Sequence, residues 1–548
     1  MNRSSDSSIG MPGRLEWTAF ILLLLAEFLV FDQVGAAPFT RIYPRWNDQI
    51  QYLAESYTGY ELLKTKGVLS AFWSSLATPT AQGTLHDFYA LVVFSLAGPS
   101  RSAALAVNML ALLVWQAACF ITVRRIWGSR SLAWASCGIL ISLAAPWMDI
   151  PGSAFDFRLD WMTACTMGTT LCACILARGF RNLGWSLVFG ILAALTLLTR
   201  FLSGAYFVLI GIGLLIWILT SKDRAVRLRN LLFASLLASL VAGPLMWLSR
   251  NELFNYYFVG HFTGPESAIR NQHFGIWKSI TWLFNTLFTV QVGSLWSWGM
   301  AATLGISGLL FACWKSVRES FHDTSDAVKT AALFFICPSI VLILHAQKSF
   351  VVVSILLPGL VMLSIALLAL FWMRLPRLAR GGMSTLVFLG GISVFAHQMF
   401  VRKPPAELAT YTRKVTDLAL DIYRRAQLAG LQSPRVAIDQ VNDIADAQIM
   451  RVLVYERRHV WVPFEMTLPI SIAAAPEEEI MARIGKSDFV LLTTGGRYAD
   501  YPFDRQTREM EPRMRAWCDR NMLFLEEFSI YDMKLRYYQR ANLSPSAQ

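Results

Sequence analysis

Charged residues are scarce in this sequence. Only 16% of its 548 residues are Asp, Glu, Lys or Arg, while 55% are hydrophobic and the mean hydropathy is +0.44. A soluble protein of this length would carry more charge, and it would lack repeated apolar runs of about 20 residues. The composition therefore excludes an ordinary soluble enzyme and indicates a protein that crosses a membrane several times.

Cysteine and histidine motifs are scarce as well. Of the eight cysteines, only Cys518 belongs to the polar C-terminal tail, so no disulfide framework is expected there. Cys172 and Cys174 lie deep in an apolar run, where small helix-packing residues are expected rather than zinc ligands. No HExxH or CxxC pattern organises the histidines or cysteines into a zinc site.

The net charge of +12 comes from the apolar part of the chain. The tail at 401–548 carries similar numbers of acids and bases, so the excess does not indicate a nucleic-acid partner. Short gaps between apolar runs hold basic clusters: Arg124, Arg125, Arg130, Arg178, Arg181, Lys222, Arg224, Arg227, Arg229, Lys315, Arg318, Lys329, Arg374, Arg377 and Arg380. Short loops rich in Lys and Arg stay in the cytoplasm, which fixes the expected sidedness.

The apolar runs predict about eleven transmembrane helices. They lie near 17–36, 102–123, 132–148, 160–177, 184–199, 202–220, 230–249, 297–314, 330–345, 350–372 and 384–400. With the N-terminus in the cytoplasm, every basic cluster becomes cytoplasmic, provided that two shorter apolar segments do not cross. These segments, 88–97 and 276–292, are expected to be amphipathic or re-entrant helices on the outer face.

This topology divides the chain into two domains. Residues 1–400 form a transmembrane domain with a long first extracytoplasmic loop at 37–101, and residues 401–548 form a soluble extracytoplasmic domain. Within the tail, strand patterns at 435–439, 459–463 and 488–493 alternate with helical patterns at 406–429, 441–457, 476–485 and 504–521. Alternating strands and helices predict a small α/β domain with a partly parallel sheet.

The first outer loop contains a carboxylate near aromatic residues. Asp48 follows the first span and precedes a helical pattern with Tyr52, Tyr57 and Tyr60. Aromatic faces pack on sugar rings, and a carboxylate can take a proton from an incoming hydroxyl group, so Asp48 is a candidate general base. The alternative is that Asp48 caps a helix beginning at Gln49.

A second acidic cluster lies between the third and fourth spans. Asp156 and Asp160 are spaced i, i+4, so both share one face if the segment is helical, and Arg158 then points elsewhere, toward headgroups or a phosphate. The two carboxylates could orient sugar hydroxyls or share a divalent cation, Mg²⁺ or Mn²⁺, with Asp48. The alternative is an ordinary start of an interfacial helix.

Basic residues and histidines complete the outer-face candidates. Lys348 and Arg200 could bind a lipid-linked phosphate, although a lysine at this boundary also suits a snorkelling anchor. Each of the remaining polar residues is, taken singly, more readily structural than functional. These auxiliary candidates are His86, Asp87, His261, His273 and His345.

Several of these segments resemble the GT-C integral-membrane glycosyltransferases, particularly the bacterial branch of protein mannosyltransferases and aminoarabinose transferases. The resemblance covers roughly residues 15–400. It rests on Asn47-Asp48, His86-Asp87-Phe88-Tyr89 to Gly98, Asn108, Trp127-Gly128-Ser129-Arg130 to Pro146, Arg158-Leu159-Asp160, Gly190, Leu198-Thr199-Arg200 and Lys348 to Pro358. Many relatives have an Asp-Glu pair after the first span, whereas here Gln49 follows Asp48.

The resemblance implies a polyprenyl-phosphate-sugar donor, inversion at the anomeric carbon, and an acceptor outside the cytoplasm that is a glycan, a lipid or a protein. It implies that Asp48 is catalytic, that Asp156 or Asp160 lies nearby, and that Lys348, Arg200 and Arg158 bind the donor phosphate. The expected location is a bacterial inner membrane with a periplasmic tail. Two alternatives stay open: a transporter or flippase of a lipid-linked saccharide, and a non-catalytic assembly subunit.

Overall fold

The computed structural model describes residues 13–44, 47–272, 274–293, 299, 315–440, 446–468, 471–495, 501–530 and 533–543. His273, Cys313 and, apart from Gly299, the predicted span at 297–314 lie outside the described residues.

Ten of the eleven predicted spans coincide with apolar helices. Within the described ranges, seven segments are long and apolar enough to cross a membrane: Arg14–Thr40, Arg101–Trp127, Leu159–Leu176, Arg224–Leu248, Thr324–Leu344, Phe350–Trp372 and Arg377–Val401. Three shorter apolar helices, Arg130–Ile141, Leu183–Thr199 and Ser203–Leu219, occupy three more of the predicted positions. The helices Leu183–Thr199 and Ser203–Leu219 have 17 residues each and are about 25 Å long, close to the thickness of the hydrocarbon core. Arg130–Ile141 has 12 residues and covers only the first part of the span predicted at 132–148. The prediction of a polytopic helical membrane protein is confirmed.

Several spans are composite. The first consists of the α-helix Arg14–Val30, a π-helical turn at Phe31–Ala36 and a short helix at Ala37–Thr40. Another begins as the 3₁₀ helix Phe350–Leu356 and continues as the α-helix Leu357–Trp372, with Pro358 in its first turn, where a proline is tolerated. The span Thr324–Leu344 is the apolar part of the longer helix Lys315–Leu344.

Small residues allow the spans to pack closely. A Cβ atom at Gly138 would lie 2.7 Å from the backbone of Phe388, and one at Gly391 would overlap the carbonyl oxygen of Gly138. A Cβ atom at Gly190 would likewise overlap the carbonyl oxygen of Ala234. Since hydrophobic burial does not drive association within lipid, such backbone contacts are a major source of helix–helix stability.

The segments between the spans contain shorter helices. Those in the loop at 37–101, named the first outer loop after its predicted side, are Asn47–Lys66, Val68–Ala77 and Leu85–Ala97. A 3₁₀ turn at Ala145–Trp147 follows the helix Arg130–Ile141. After the helix Arg224–Leu248 come Arg250–Leu253, the π-helical Phe254–Thr263, Ser267–Arg270, Ile276–Asn285 and the π-helical Thr286–Val292. The segments predicted not to cross, 88–97 and 276–292, are not among the seven long apolar spans.

The described residues of the tail form a mixed sheet of five strands. They are β1 (Arg435–Ile438), β2 (Glu465–Met466), β3 (Phe489–Gly495), β4 (Met522–Ile530) and β5 (Met533–Arg540), in the spatial order β2-β1-β3-β5-β4. β1 pairs parallel with β2 and β3, whereas β5 pairs antiparallel with β3 and β4. The helices are Glu407–Leu428, Ala447–Arg458, Glu477–Lys486 and Pro502–Asn521, with a final 3₁₀ turn at Ala541–Leu543.

The predicted α/β domain is confirmed, with two corrections to its strands. The strand predicted at 459–463 begins only at Glu465, because His459 ends the preceding helix with a left-handed φ of 53°. The strands β4 and β5 were not predicted from the sequence. The apolar run at 522–525 follows directly on the helical pattern that ends at 521, and charged residues interrupt the rest of both strands.

The tail packs on the first outer loop through buried polar contacts. Arg101 Nε donates to Glu456 Oε1 at 3.0 Å, and the Tyr57 hydroxyl donates to the same oxygen at 2.9 Å. The backbone N–H of Tyr43 donates to Thr412 Oγ1 at 2.7 Å. These contacts place the tail domain over the ends of the spans.

Candidate functional site

A cavity of about 540 Å³ lies where several spans begin or end, and it contains many of the predicted residues. Its lining includes Asp48, Tyr52, Arg158, Asp160, Arg200, Tyr256, His261, Arg270, His345 and, from the tail domain, Ile472 and Tyr501. The volume lies in the range typical of small-molecule sites. The structure therefore brings together residues from five distant segments of the transmembrane domain and from the tail at one cavity.

Asp48 lies at the edge of this cavity in the first turn of a helix. That helix begins at Asn47, so Asp48 is not the cap of a helix beginning at Gln49. The carboxylate accepts a hydrogen bond from the Arg158 guanidinium, and the Asp48 side chain is 49% exposed. Its exposed oxygen can therefore meet a ligand in the cavity.

Of the three tyrosines near Asp48 in the sequence, only Tyr52 lines the same cavity. Tyr57 and Tyr60 instead pack against Phe94, with ring centroids 5.5 and 6.3 Å apart. The predicted role in sugar binding at this cavity is therefore restricted to Tyr52. The sequence could not show this, because helix phase alone does not reveal which neighbour covers each face.

The second acidic cluster is arranged differently from the prediction. The helix begins at Leu159, so Asp156 precedes it and the two aspartates do not share a helical face. Arg158 does not point away: its Nε lies 3.7 Å from Asp156 Oδ2 and 3.5 Å from Asp160 Oδ2. Because a second guanidinium nitrogen binds Asp48, one arginine compensates three carboxylates that would otherwise repel one another.

Asp156 is fully buried and held by hydrogen bonds. Its Oδ2 accepts from the N–H of Gly152 at 2.6 Å, and its Oδ1 accepts from Gln49 Nε2 at 2.9 Å. Burial raises the pKa of Asp156 to about 7, despite the lowering effects of Arg158 and these hydrogen bonds. Asp156 thus contacts Arg158 and Gln49 from a buried position outside the cavity lining. Gln49 donates a hydrogen bond to it, whereas a glutamate at that position would repel it.

Arg200 follows the helix Leu183–Thr199 and forms an ion pair with Asp160 at the cavity wall. Arg270, which sequence analysis missed, lines the same cavity while its NH2 contacts Glu266 Oε2 at 2.8 Å. The cavity therefore contains three guanidinium groups, including that of Arg158. Such planar donors suit a phosphate group.

Lys348 does not line this cavity. Its ammonium donates to the carbonyl oxygens of Leu342, Ile343 and His345 at 3.0, 2.8 and 2.6 Å. These carbonyls lie at the C-terminal end of a long helix, where backbone acceptors lack partners within the helix. The three donors of the ammonium are thus used in capping the helix, in contrast to the expectation of a free phosphate ligand.

Comparison with solved structures relates this architecture to known proteins. ArnT from Cupriavidus metallidurans bound to undecaprenyl phosphate is 14% identical, with a TM-score of 0.57 over 97% of this chain and 99% of that chain. ArnT in the apo state is 14% identical, with a TM-score of 0.60 over 96% and 99%. The Archaeoglobus fulgidus oligosaccharyltransferase complex with zinc and sulfate has a TM-score of 0.46, at 11% identity over 95% and 73%. No protein-family model and no curated protein sequence matches the chain.

The similarity to ArnT covers the spans and the tail together. This chain has the GT-C fold. The expectation drawn from its sequence is thereby confirmed at the level of architecture.

The auxiliary candidates occupy three different places in this GT-C fold. His261 and His345 line the cavity with ring centroids 5.6 Å apart, and His261 Nε2 lies 2.8 Å from Gln347 Oε1. His86 is buried between Tyr52 and Phe157, where burial lowers its pKa to about 3, so it packs as a neutral ring. Asp87 lines a separate cavity.

Several residues that line the candidate-site cavity were not predicted from the sequence. They are Arg270, Tyr206, Tyr256, Tyr257 and Tyr501. The adjacent pair Tyr256-Tyr257 in an outer segment was a usable signal, since such aromatics suit sugar rings. Tyr501 gave no signal, because its contribution depends on how the tail packs.

The acidic cluster does not fit a divalent cation. No group of three His, Cys, Asp or Glu side chains in the described part of the chain is arranged to hold a metal ion. The guanidinium of Arg158 occupies the space among Asp48, Asp156 and Asp160, and it supplies the positive charge that Mg²⁺ or Mn²⁺ would supply.

Proposed function

We propose that this protein is an integral-membrane glycosyltransferase that moves a sugar from a polyprenyl-phosphate donor to an extracytoplasmic acceptor, with inversion. One observation carries the proposal: a cavity at the ends of apolar helices combines an exposed carboxylate, Asp48, with the cations Arg158, Arg200 and Arg270. The donor class is supported by the similarity in fold to ArnT bound to undecaprenyl phosphate.

In the proposed reaction, the oxygen of the acceptor hydroxyl group attacks the anomeric carbon while Asp48 accepts the proton of that hydroxyl group. A new bond forms between that carbon and the acceptor oxygen, while the bond to the phosphate oxygen breaks. The electron pair leaves with the polyprenyl phosphate. Arg200 and Arg158 stabilise the charge that develops there, because their donors already face the cavity.

The other predicted residues support these groups. Asp160 orients Arg200 through their ion pair, and Asp156 positions both Arg158 and Gln49. Lys348 becomes a phosphate ligand only if its ammonium leaves the three carbonyls that it caps. It is therefore the weakest of the proposed donor contacts.

We further propose that the protein resides in a bacterial inner membrane with a cytoplasmic N-terminus and a periplasmic tail, which follows from its basic loops. Single cysteines at Glu478→Cys in the tail and Arg224→Cys in a basic cluster test this orientation. In intact cells, a membrane-impermeant maleimide should label the first and spare the second until lysis. The background is low because the described native cysteines are buried. Labelling of Arg224→Cys alone would reverse the topology.

The deciding experiment uses purified protein in lipid with radiolabelled polyprenyl-phosphate sugars and an envelope extract. Wild type should release polyprenyl phosphate, and Asp48→Asn should reduce the rate by about 100-fold or more. Asp223→Asn is a matched control, since both aspartates are half-exposed and paired with one arginine. A loss below about tenfold would exclude Asp48 as the base. Donor that binds without being consumed would instead favour a transporter or an assembly subunit.

A further inference from the structure

A second cavity of about 830 Å³ adjoins the candidate site. The two cavities share Gln51, Gln82 and Tyr256 in their linings. The second one extends between the first outer loop and the tail domain, which contributes Arg451 and Trp461. A molecule bound there can therefore reach the first cavity without crossing the protein.

The second cavity is acidic where the first is basic. Four carboxylates line it, Glu55, Glu61, Asp87 and Glu252, and Arg451 is the one lysine or arginine in its described lining. Glu61 is paired with Lys64, which lies outside that lining, at 2.7 Å. Arg451 is itself engaged, since its guanidinium lies 5.4 Å from the centroid of the Trp461 ring. A phosphate group would meet carboxyl groups here and no unengaged guanidinium in the described lining, so the two cavities favour different kinds of group.

Glu55 and Asp87 form a carboxylate pair at this cavity. Glu55 accepts from Gln51 Nε2 at 2.8 Å, and Asp87 accepts from Ser56 Oγ at 2.7 Å. Desolvation and the nearby Glu55 raise the pKa of Asp87 to about 8, so Asp87 keeps its proton at neutral pH. Desolvation also raises the pKa of Glu55, although the Glu55 side chain is exposed to solvent. Among the described residues, neither carboxylate has a Lys, Arg or His within salt-bridge distance. The pair retains acceptor capacity for donors of a bound molecule.

Thr84 is a second, independent sign of a ligand. Thr84 lines the cavity, it is only 2% exposed, and its hydroxyl has no hydrogen-bond partner in the described part of the chain. A buried hydroxyl group left unpaired costs about 1–3 kcal/mol. A polar ligand at this wall would satisfy it.

The helix Asn47–Lys66 connects the two cavities. Asp48, Gln51 and Glu55 follow one another at i, i+3 and i+7, which places them on one helical face. Seven residues correspond to about 10 Å along the axis. A molecule held by Glu55 can thus present a hydroxyl group to Asp48, about two helical turns away.

We propose that this second cavity binds the acceptor, and that the acceptor segment bound there is a hydroxyl-rich glycan without phosphate or carboxylate groups. Glu55 and Asp87 accept hydrogen bonds from its hydroxyl groups, and Tyr256 and Trp461 offer aromatic surface to its rings. The inference rests on the proposed glycosyl transfer and adds to it a class of acceptor.

The test uses the purified protein in lipid, a radiolabelled polyprenyl-phosphate sugar, and an envelope extract divided by anion exchange. Uncharged and cationic glycans flow through the column, whereas phosphorylated and acidic molecules are retained. Most of the transferred label should appear in molecules from the flow-through. Partition of that product into butanol or water distinguishes a lipid-linked glycan from a free or protein-linked one.

The matched variants are Glu55→Gln with Asp87→Asn, and Glu478→Gln on the exposed surface of the tail. At limiting acceptor, the double variant should lower transfer at least tenfold while donor affinity stays within twofold. Glu478→Gln should change neither quantity. If the double variant fails to bind donor, Glu55→Gln alone, which has only one hydrogen bond within its helix, should lower transfer at least threefold.

Two results would overturn the inference. One is label found mainly in molecules that the anion exchanger retains, and the other is unchanged transfer in the Glu55→Gln with Asp87→Asn double variant. Failure of the proposed function is a different result, namely that the wild type releases no polyprenyl phosphate from any donor. In that case the acceptor assignment is abandoned with it.

Discussion

At the scale of single residues, Arg158 is the common partner of the three aspartates at the candidate site. Its guanidinium contacts Asp48, Asp156 and Asp160, and its side chain is only 16% exposed. Among these partners Asp48 keeps the greatest exposure, so it is the carboxylate able to meet a substrate. The other two are almost completely buried, and in the proposed reaction they act by positioning arginines.

The buried carboxyl of Asp156 gives a prediction for pH dependence. Its pKa is raised from 3.8 to about 7, so the folded protein retains a proton that the unfolded chain has lost. Stability should therefore fall as the pH rises from about 4 to about 7, by at most about 1.4 kcal/mol per pH unit. Asp156→Asn should flatten this part of the profile, measured as the midpoint of thermal unfolding against pH.

The control for that profile is Asp223→Asn, whose exposed carboxylate should leave the slope unchanged. A wild-type slope that survives in Asp156→Asn would show that another group titrates in this window.

At the scale of helices, Lys348 acts at the end of the helix Lys315–Leu344. Replacing it in Lys348→Met removes three hydrogen bonds to terminal carbonyls and should lower the free energy of unfolding by about 1–3 kcal/mol. Donor affinity should stay within twofold. By contrast, Arg200→Met removes a guanidinium that lines the cavity and should weaken donor binding about tenfold or more. Titration with a fluorescent polyprenyl phosphate measures both affinities.

Measuring both stability and donor affinity distinguishes helix capping by Lys348 from phosphate binding by Lys348. A tenfold loss of donor affinity in Lys348→Met with unchanged stability would restore the phosphate role that the sequence suggested.

Helix packing gives a second prediction, with adjacent glycines as a matched pair. A Cβ atom at Gly391 overlaps the backbone of Gly138, whereas one at Gly390 has no atom within 4 Å. Gly391→Ala should separate the helices Arg130–Ile141 and Arg377–Val401, at a cost of about 1–3 kcal/mol. Gly390→Ala should be neutral or slightly stabilising. Thermal unfolding in detergent compares them, and equal midpoints would contradict the close contact.

At the scale of the whole molecule, the tail completes both cavities. Ile472 and Tyr501 reach the candidate site, while Arg451 and Trp461 reach the second cavity. The tail is therefore part of the proposed binding surfaces, although the carboxylate and arginines proposed for chemistry belong to the transmembrane domain.

The attachment of the tail depends on Glu456. Glu456→Ala leaves Arg101 buried without its carboxylate, and breaking such a pair costs about 3–5 kcal/mol. The Arg402–Lys403 bond in the linker at 402–406 should then be cleaved by trypsin at least tenfold faster, whereas Pro404 protects the bond after Lys403. Glu479→Ala, which breaks only an exposed pair with Arg483, should leave the rate unchanged. Equal rates in the two variants would show that other contacts hold the tail.

The sequence by itself determined the membrane architecture and the general location of the site. Repeated apolar runs and basic gaps act locally, because lipid requires continuous apolar helices whatever their neighbours are. The same local logic exposed the α/β pattern of the tail and singled out Asp48, Arg158, Asp160 and Arg200 as polar residues at the ends of spans.

Only the tertiary structure decided how those residues pair. It turned Arg158 toward the acids, directed Lys348 to a helix end, buried His86, and added Arg270 from a distant segment. These outcomes depend on contacts between elements far apart in the chain, and the periodicity of one helix carries no information about its partner. The second cavity is the clearest case, since its walls exist only where the tail meets the first outer loop.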